Sequence, residues 1–135
     1  MASIWYAYVY SQCLMILSLD HIQLALPEGA EPRMRAFYLD LLCMVEVPKP
    51  IALQGRGGFW ARAGTVDVHF GVDPQFAPAT KAHPAFSVCD LDVLATRLND
   101  AQHDVRWATG LPGIRRFFTS DPVGNRVELI AAQTR

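Results

Sequence analysis

The chain of 135 residues is short of what several common function classes need. Its net charge is only -1, and no block of Lys or Arg stands anywhere. A nucleic-acid or acidic-surface partner therefore has no electrostatic footing. There is no CxxC. The three cysteines, Cys13, Cys43 and Cys89, are odd in number and far apart, so no disulfide framework or zinc knuckle is implied. Free thiols in a reducing, cytoplasmic setting are the simpler reading. Gly55-Arg56-Gly57-Gly58 lacks the Gly-Lys-Ser/Thr ending and following helix of a phosphate loop, and reads as a turn. No Ser-His-Asp or Cys-His nucleophile arrangement can be inferred.

With 51% hydrophobic and 19% charged residues, the chain can bury a core. Ala2–Leu19 is apolar and uncharged, but it has no basic n-region and is interrupted by Ser11-Gln12, so neither export nor a membrane role is expected. Residues 1–15 read as an apolar extension. The run from Trp5 to Tyr10 has strand-like composition suited to an added edge strand.

What is present is a pattern that occurs twice. His21 opens His-Ile-Gln-Leu-Ala-Leu, and His83, 62 positions on, opens His-Pro-Ala-Phe-Ser-Val. Behind each comes a strand-like run with a second ligand-type side chain, His69 in Val66–Val72 and Glu128 in Arg126–Ala131, 59 positions apart. One domain over 16–132 is expected, made of two modules at about 16–72 and 82–132, with 73–81 as linker.

The first module reads as a strand at 17–26, then a helix with Pro32 in its first turn and Met34, Phe37, Tyr38, Leu41 and Leu42 on one stripe. The short run 44–47 follows, ended by Pro48 and Pro50. Strands come next at 59–62 and 66–72. The second reads as a strand at 82–88, a helix over Leu91–Leu98 capped by Asp90 or Asp92, and strands at 105–107, 114–119 and 126–131. Asp121-Pro122-Val123-Gly124-Asn125 is a tight turn. Each module is βαβββ, and its uncovered sheet face calls for a partner, within the chain or by exchange between two chains.

Strand parity places His21, Gln23, His69, His83, Ser87, Glu128 and Arg126 on the less apolar faces, lined with small residues that leave a hollow. One of Arg115 and Arg116 must share that face, as must one of Phe59 and Trp60. His103 is expected exposed at a helix C-terminus, favourable to the helix dipole.

Leu-Asp-His-Ile-Gln-Leu at 19–24, Arg-Ala-Phe-Tyr-Leu-Asp-Leu-Leu at 35–42, His-Pro-Ala-Phe-Ser-Val at 83–88 and Asp-Pro-Val-Gly-Asn-Arg-Val-Glu-Leu at 121–129 resemble the vicinal oxygen chelate superfamily. This superfamily comprises glyoxalases, fosfomycin-resistance thiol transferases, extradiol dioxygenases and bleomycin-resistance proteins. The resemblance implies an α+β fold of two βαβββ modules forming a cupped mixed sheet. A divalent cation (Zn, Ni, Mn or Fe) would sit in the cup on His21, His83 and Glu128, with Glu128 also catalytic. His69 stands where glyoxalases carry a carboxylate, and is a fourth ligand, a substrate contact or a hydrogen-bonding group near the site. Gln23, Trp60, Ser87, Arg116 and Arg126 are the expected substrate contacts. The implied protein is a metal-dependent lyase, transferase or dioxygenase for a small oxygen-chelating substrate, and a homodimer. The alternative is a binding protein that sequesters a drug or metabolite without chemistry.

Overall fold

A computed structural model describes residues 15–133. The expected N-terminal edge strand, most of the expected extension and Cys13 lie outside the described residues. The order is β1 (His21–Leu26), α1 (Glu31–Arg35), β2 (Val45–Val47), β3 (Phe59–Ala63), β4 (Val66–Val72), β5 (Ala85–Val88), α2 (Leu91–Asp100), β6 (Arg106–Ala108), β7 (Arg116–Ser120) and β8 (Arg126–Ala131). Two four-stranded sheets result, in the orders β1-β4-β3-β2 and β5-β8-β7-β6. In each, the first strand pairs parallel with the last and the other pairs are antiparallel. This is the expected pair of βαβββ modules.

Register makes the repeat quantitative. Gln23 lies opposite His69, and Ala85 lies opposite Glu128. Each histidine of the pattern stands two residues before its registered partner. His21 with His69 and His83 with Glu128 are therefore equivalent pairs in the two modules.

Two of the strand starts that moved did so for reasons of pairing. β1 starts at His21 rather than residue 17, because its partner β4 begins only at Val66. β5 starts at Ala85 rather than 82. Pro84 has no N–H to give, and the Arg126 N–H, which would pair further upstream, donates instead to the Ala79 carbonyl at 2.8 Å. The stretch after Pro50, expected to be irregular, forms 3-10 turns over Ile51–Arg56, with the fixed φ of Pro50 suited to starting them. At the next bend Gly58 has φ +70, and any Cβ there would collide with the Phe70 carbonyl oxygen.

α1 has Pro32 in its first turn, where no backbone donor is needed. It continues over Ala36–Leu41 in wider turns, with the Leu42 N–H reaching the Phe37 carbonyl. Met34, Phe37 and Tyr38 are fully buried against Val68 and Phe70. α2 is capped by Asp90, whose carboxylate accepts from the Val93 N–H at 3.0 Å. Its far end closes with His103 N–H to Leu98 O and Gln102 N–H to Asn99 O, Gln102 being left-handed at φ 63. That closure carries His103 back onto module one. Its half-buried ring meets Phe37 edge-on at 4.9 Å, so the expectation of an exposed helix-end histidine is corrected.

The modules are joined by one buried polar network. Asp121 accepts from the backbone of Val123 and Asn125 and from the Tyr38 hydroxyl at 3.0 Å. The Asn125 amide donates to the Ala25 carbonyl of β1 at 2.9 Å and to Asp121. Its carbonyl oxygen takes the Ala79 N–H of the linker. Burial, with the Asp121 charge and hydrogen bond beside it, pushes the Tyr38 pKa well above its ordinary 10.0.

Asn125→Ala would strand several of these groups away from water. It should lower the unfolding free energy in urea by about 3 kcal/mol. Folded Tyr38 keeps its proton where the unfolded side chain loses it, so this contribution is present below pH 10 and fades as pH rises above it. Melting temperature against pH should show that alkaline fall in the wild type and less of it in Tyr38→Phe.

Candidate metal centre

In module two, β8 presents Glu128 and β7 presents Arg116 on one face, while His83 stands just ahead of β5. The Arg116 Nη1 donates to Glu128 Oε1 at 2.8 Å, and His83 Nε2 lies 2.9 Å from Glu128 Oε2. Burial works to raise the Glu128 pKa. The hydrogen bonds and charges of Arg116 and His83 outweigh it and hold the carboxyl below its ordinary value. Parity left Arg115 and Arg116 undecided. Arg116 takes the cup face, and Arg115 turns to Asp92 of α2 with a bidentate pair.

His83 has a second contact that bears on its chemistry. Its Nδ1 lies 2.8 Å from the Lys81 carbonyl, which can only accept, so Nδ1 carries a proton. In a neutral ring Nε2 is then a lone pair facing a carboxylate oxygen. Two acceptors at that distance call for a cation between them, either a proton on the ring or a metal. A metal about 2.1 Å from each of two ligands at a right angle sees them about 3 Å apart, matching the 2.9 Å observed. The residues present therefore fit a divalent cation.

In module one, His21 Nδ1 lies 2.7 Å from Asp20 Oδ1. That carboxylate favours the proton on Nδ1 and leaves the Nε2 lone pair free. His21 stacks on His69 with centroids 4.1 Å apart. His69 in turn stacks on Trp60 at 3.7 Å, nearly parallel at 4°. Phe59, its neighbour, is buried in the core. Burial, and then the adjacent His21, hold the His69 pKa below 6.5. Gln23 lies over Gly71, where a Cβ would collide with its amide nitrogen.

The nine sequence-designated residues thus form two groups. His21, Gln23, Trp60 and His69 line module one, and His83, Ser87, Arg116, Glu128 and Arg126 line module two. A cavity of about 770 Å³ lies between the modules, with Ile22 of β1 on its wall alongside His83 and Ser87. Among the described residues, no group of three or more His, Cys, Asp or Glu side chains is placed to hold a metal ion within one chain. Three contributors were not singled out from sequence. Asp20 was legible as a carboxylate beside a candidate ligand. Phe118 was legible by parity with Arg116, and its ring contacts His83, Arg116 and Arg126. The Lys81 carbonyl has no sequence signal.

A glyoxalase family protein from Bacillus anthracis superposes with TM-score 0.84 and 41% identity, over 87% of this chain and 97% of that one. The chain belongs to the glyoxalase family of the vicinal oxygen chelate superfamily. An integron cassette protein from Vibrio cholerae shares the fold at 21% identity and TM-score 0.65, over 87% of this chain and 97% of its own. So does a variant of the fosfomycin resistance protein FosX from Listeria monocytogenes, in complex with Mn(II) and 1S,2S-dihydroxypropylphosphonic acid. It is 18% identical with TM-score 0.74, over 88% of this chain and 95% of its own. No protein-family model and no curated protein matches the chain. Among the described residues, no helix is long and apolar enough to cross a membrane.

Loss of an outer-sphere carboxylate typically weakens metal binding about 10–100-fold. Asp20→Ala should do so for Mn(II) or Zn(II) in equilibrium titrations, while leaving the urea midpoint of the metal-free protein within experimental error.

Proposed function

We propose that this protein is a metal-dependent enzyme of glyoxalase type acting on a small substrate with two neighbouring oxygens. The supporting observation is the pair of pre-set histidines. Both have Nδ1 engaged by an acceptor, so both offer Nε2, and Glu128 stands against one of them. His21, His83 and Glu128 would hold the cation as a two-histidine, one-carboxylate set with open positions. Such a cation would take both substrate oxygens and stabilise negative charge developing on them.

The chain's own residues set the rest. Arg116 orients Glu128 and keeps it ionised, which suits a ligand and makes it a weak proton acceptor at neutral pH. In the shared site Ser87 and Gln23 would supply hydrogen-bonding groups, and the stack of Trp60, His69 and His21 would form an aromatic side. That stack is the feature that favours the alternative, a protein that binds a planar drug or metabolite without turning it over.

The two half-sites are completed by a second copy of the chain. β1 and β5 each have an unpaired edge. Ahead of β1, Met15, Ile16 and Leu17 are more than four-fifths exposed. Unpaired edges beside exposed apolar side chains favour association. In a homodimer built by exchange, His21 of one copy meets His83 and Glu128 of the other.

This arrangement has a direct test. His21→Ala and Glu128→Gln should each lose stoichiometric metal in elemental analysis. Mixed dimers of the two variants should regain one intact site, because one of the two sites receives both wild-type halves. Metal retention by both variants alone would overturn the metal centre. Failure of the mixed dimers to regain metal would overturn its sharing between copies. Turnover of vicinal-oxygen substrates by the loaded protein, lost on chelation, separates the enzyme from the binding protein.

A further inference from the structure

The cup face of module two carries three arginines, and two of them are already matched. Arg116 is paired with Glu128, and Arg106 with Asp104. Arg115, on the other side of the sheet, is paired with Asp92. Arg126 differs from all of these. Its guanidinium carbon lies over the Phe118 ring, 4.0 Å from the centroid, and the side chain has no carboxylate or other hydrogen-bonding side-chain partner among the described residues. It is half-buried, so it has given up part of its hydration without an anion in return.

The surroundings are those of a small binding site. A cavity of about 500 Å³ is lined by Arg126, Arg106, Phe118, Ser120 and Thr80. Ser120 is registered directly opposite Arg126 across the sheet. Its hydroxyl oxygen accepts from the Arg106 Nη2 at 3.4 Å, which leaves the hydroxyl proton free to donate. The floor thus offers a planar fork of guanidinium donors and two hydroxyls. Its uncompensated charge is positive. Phe118 holds the fork in place by stacking, which limits the entropy lost when an oxyanion docks.

The position relates this floor to the metal centre. Arg126 and Glu128 are two residues apart on β8 and share its cup face. Their backbone positions are therefore about 7 Å apart along the strand. We infer that Arg126, on its Phe118 platform, anchors an anionic group of the substrate, a carboxylate or phosphonate carried at the end away from the two chelated oxygens. This deepens the proposed function and rests on it for the chelated end. Among the described residues, the cup carboxylates at this end, Glu128 and Asp104, are both paired with arginine and offer no seat for a cationic group.

Matched probes test the inference. Catechol presents two neighbouring oxygens and no anion, 3,4-dihydroxybenzoate adds a carboxylate on the far side of the ring, and 3,4-dihydroxyphenylphosphonate adds a phosphonate there. Calorimetry under nitrogen with the Mn(II)-loaded protein should show either anionic probe binding about 10–100-fold more tightly than catechol. Whichever binds more tightly identifies the anion. Arg126→Gln should abolish the preference and leave catechol binding unchanged, and Arg126→Lys should keep part of it. No preference in the wild type, or an unchanged preference in Arg126→Gln at an unchanged melting temperature, overturns the anchor. If catechol itself does not bind, the chelate reading has failed instead. The anchor is then read from benzoate and the metal-free protein, where equal binding to wild type and Arg126→Gln overturns it.

Discussion

The buried carboxylate of Asp121 and the amide of Asn125 are what the rest of the molecule depends on. A two-module chain must fix one module against the other, and apolar packing alone is non-directional. Hydrogen bonds are directional, and a buried network that is fully satisfied specifies one arrangement. Here a single turn between β7 and β8 reaches β1 through Ala25, the α1 region through Tyr38 and the linker through Ala79. Displacing the modules leaves several of these groups unpaired at once. The turn also aims β8. Arg126 and Glu128 directly follow Asn125, so the joint that couples the modules also positions the site.

The modules have the same frame but differ in what they present. At equivalent register positions, one has His69 and the other Glu128. The neighbours differ to match. His69 is flanked by the rings of Trp60 and His21, while Glu128 is flanked by Arg116 and His83. One half is therefore an aromatic wall that includes two imidazole rings. The other is a charged floor with a carboxylate and guanidinium groups. A site assembled from both has an asymmetry that neither repeat would have with its own duplicate. It can hold a metal at the junction, an apolar or planar body on one side and an anion on the other.

Much of this was legible in the sequence, because period-two alternation and a duplicated pattern constrain each other. β4 and β8 came out at their expected limits, and the face that carries the candidate ligands followed from parity. What parity could not decide was decided by partners. Arg116 faces the cup because Glu128 is there, and Arg115 faces away because Asp92 of α2 is there. Strand starts were misplaced where the chain still looked strand-like but had no ladder to join. The Asp-Pro-Val-Gly-Asn turn was the most specific part of the resemblance. Its local chemistry predicted a tight turn and could not show that the same side chains cross to module one. Contacts of Asn125 with Ala25 and Ala79 span 100 and 46 residues, and local pattern contains no such information.

The neighbours of His69 set what its ring can do. A ligand must turn a ring nitrogen toward the metal and keep its lone pair free. In the proposed centre His21 would do so with Asp20 holding the opposite nitrogen, and His83 would do so against the Lys81 carbonyl. His69 has no such acceptor among the described residues, and its ring is sandwiched, parallel to Trp60 within 4°. Rotating it toward a cation would sacrifice both stacks and gain no orienting hydrogen bond. Burial and the adjacent His21 already keep it below the ordinary imidazole pKa, so it stays neutral beside a second imidazole. In that state it serves His21 as a flat, uncharged backing. That restricts the His21 ring to one plane and leaves the carboxylate of the proposed centre to Glu128 alone.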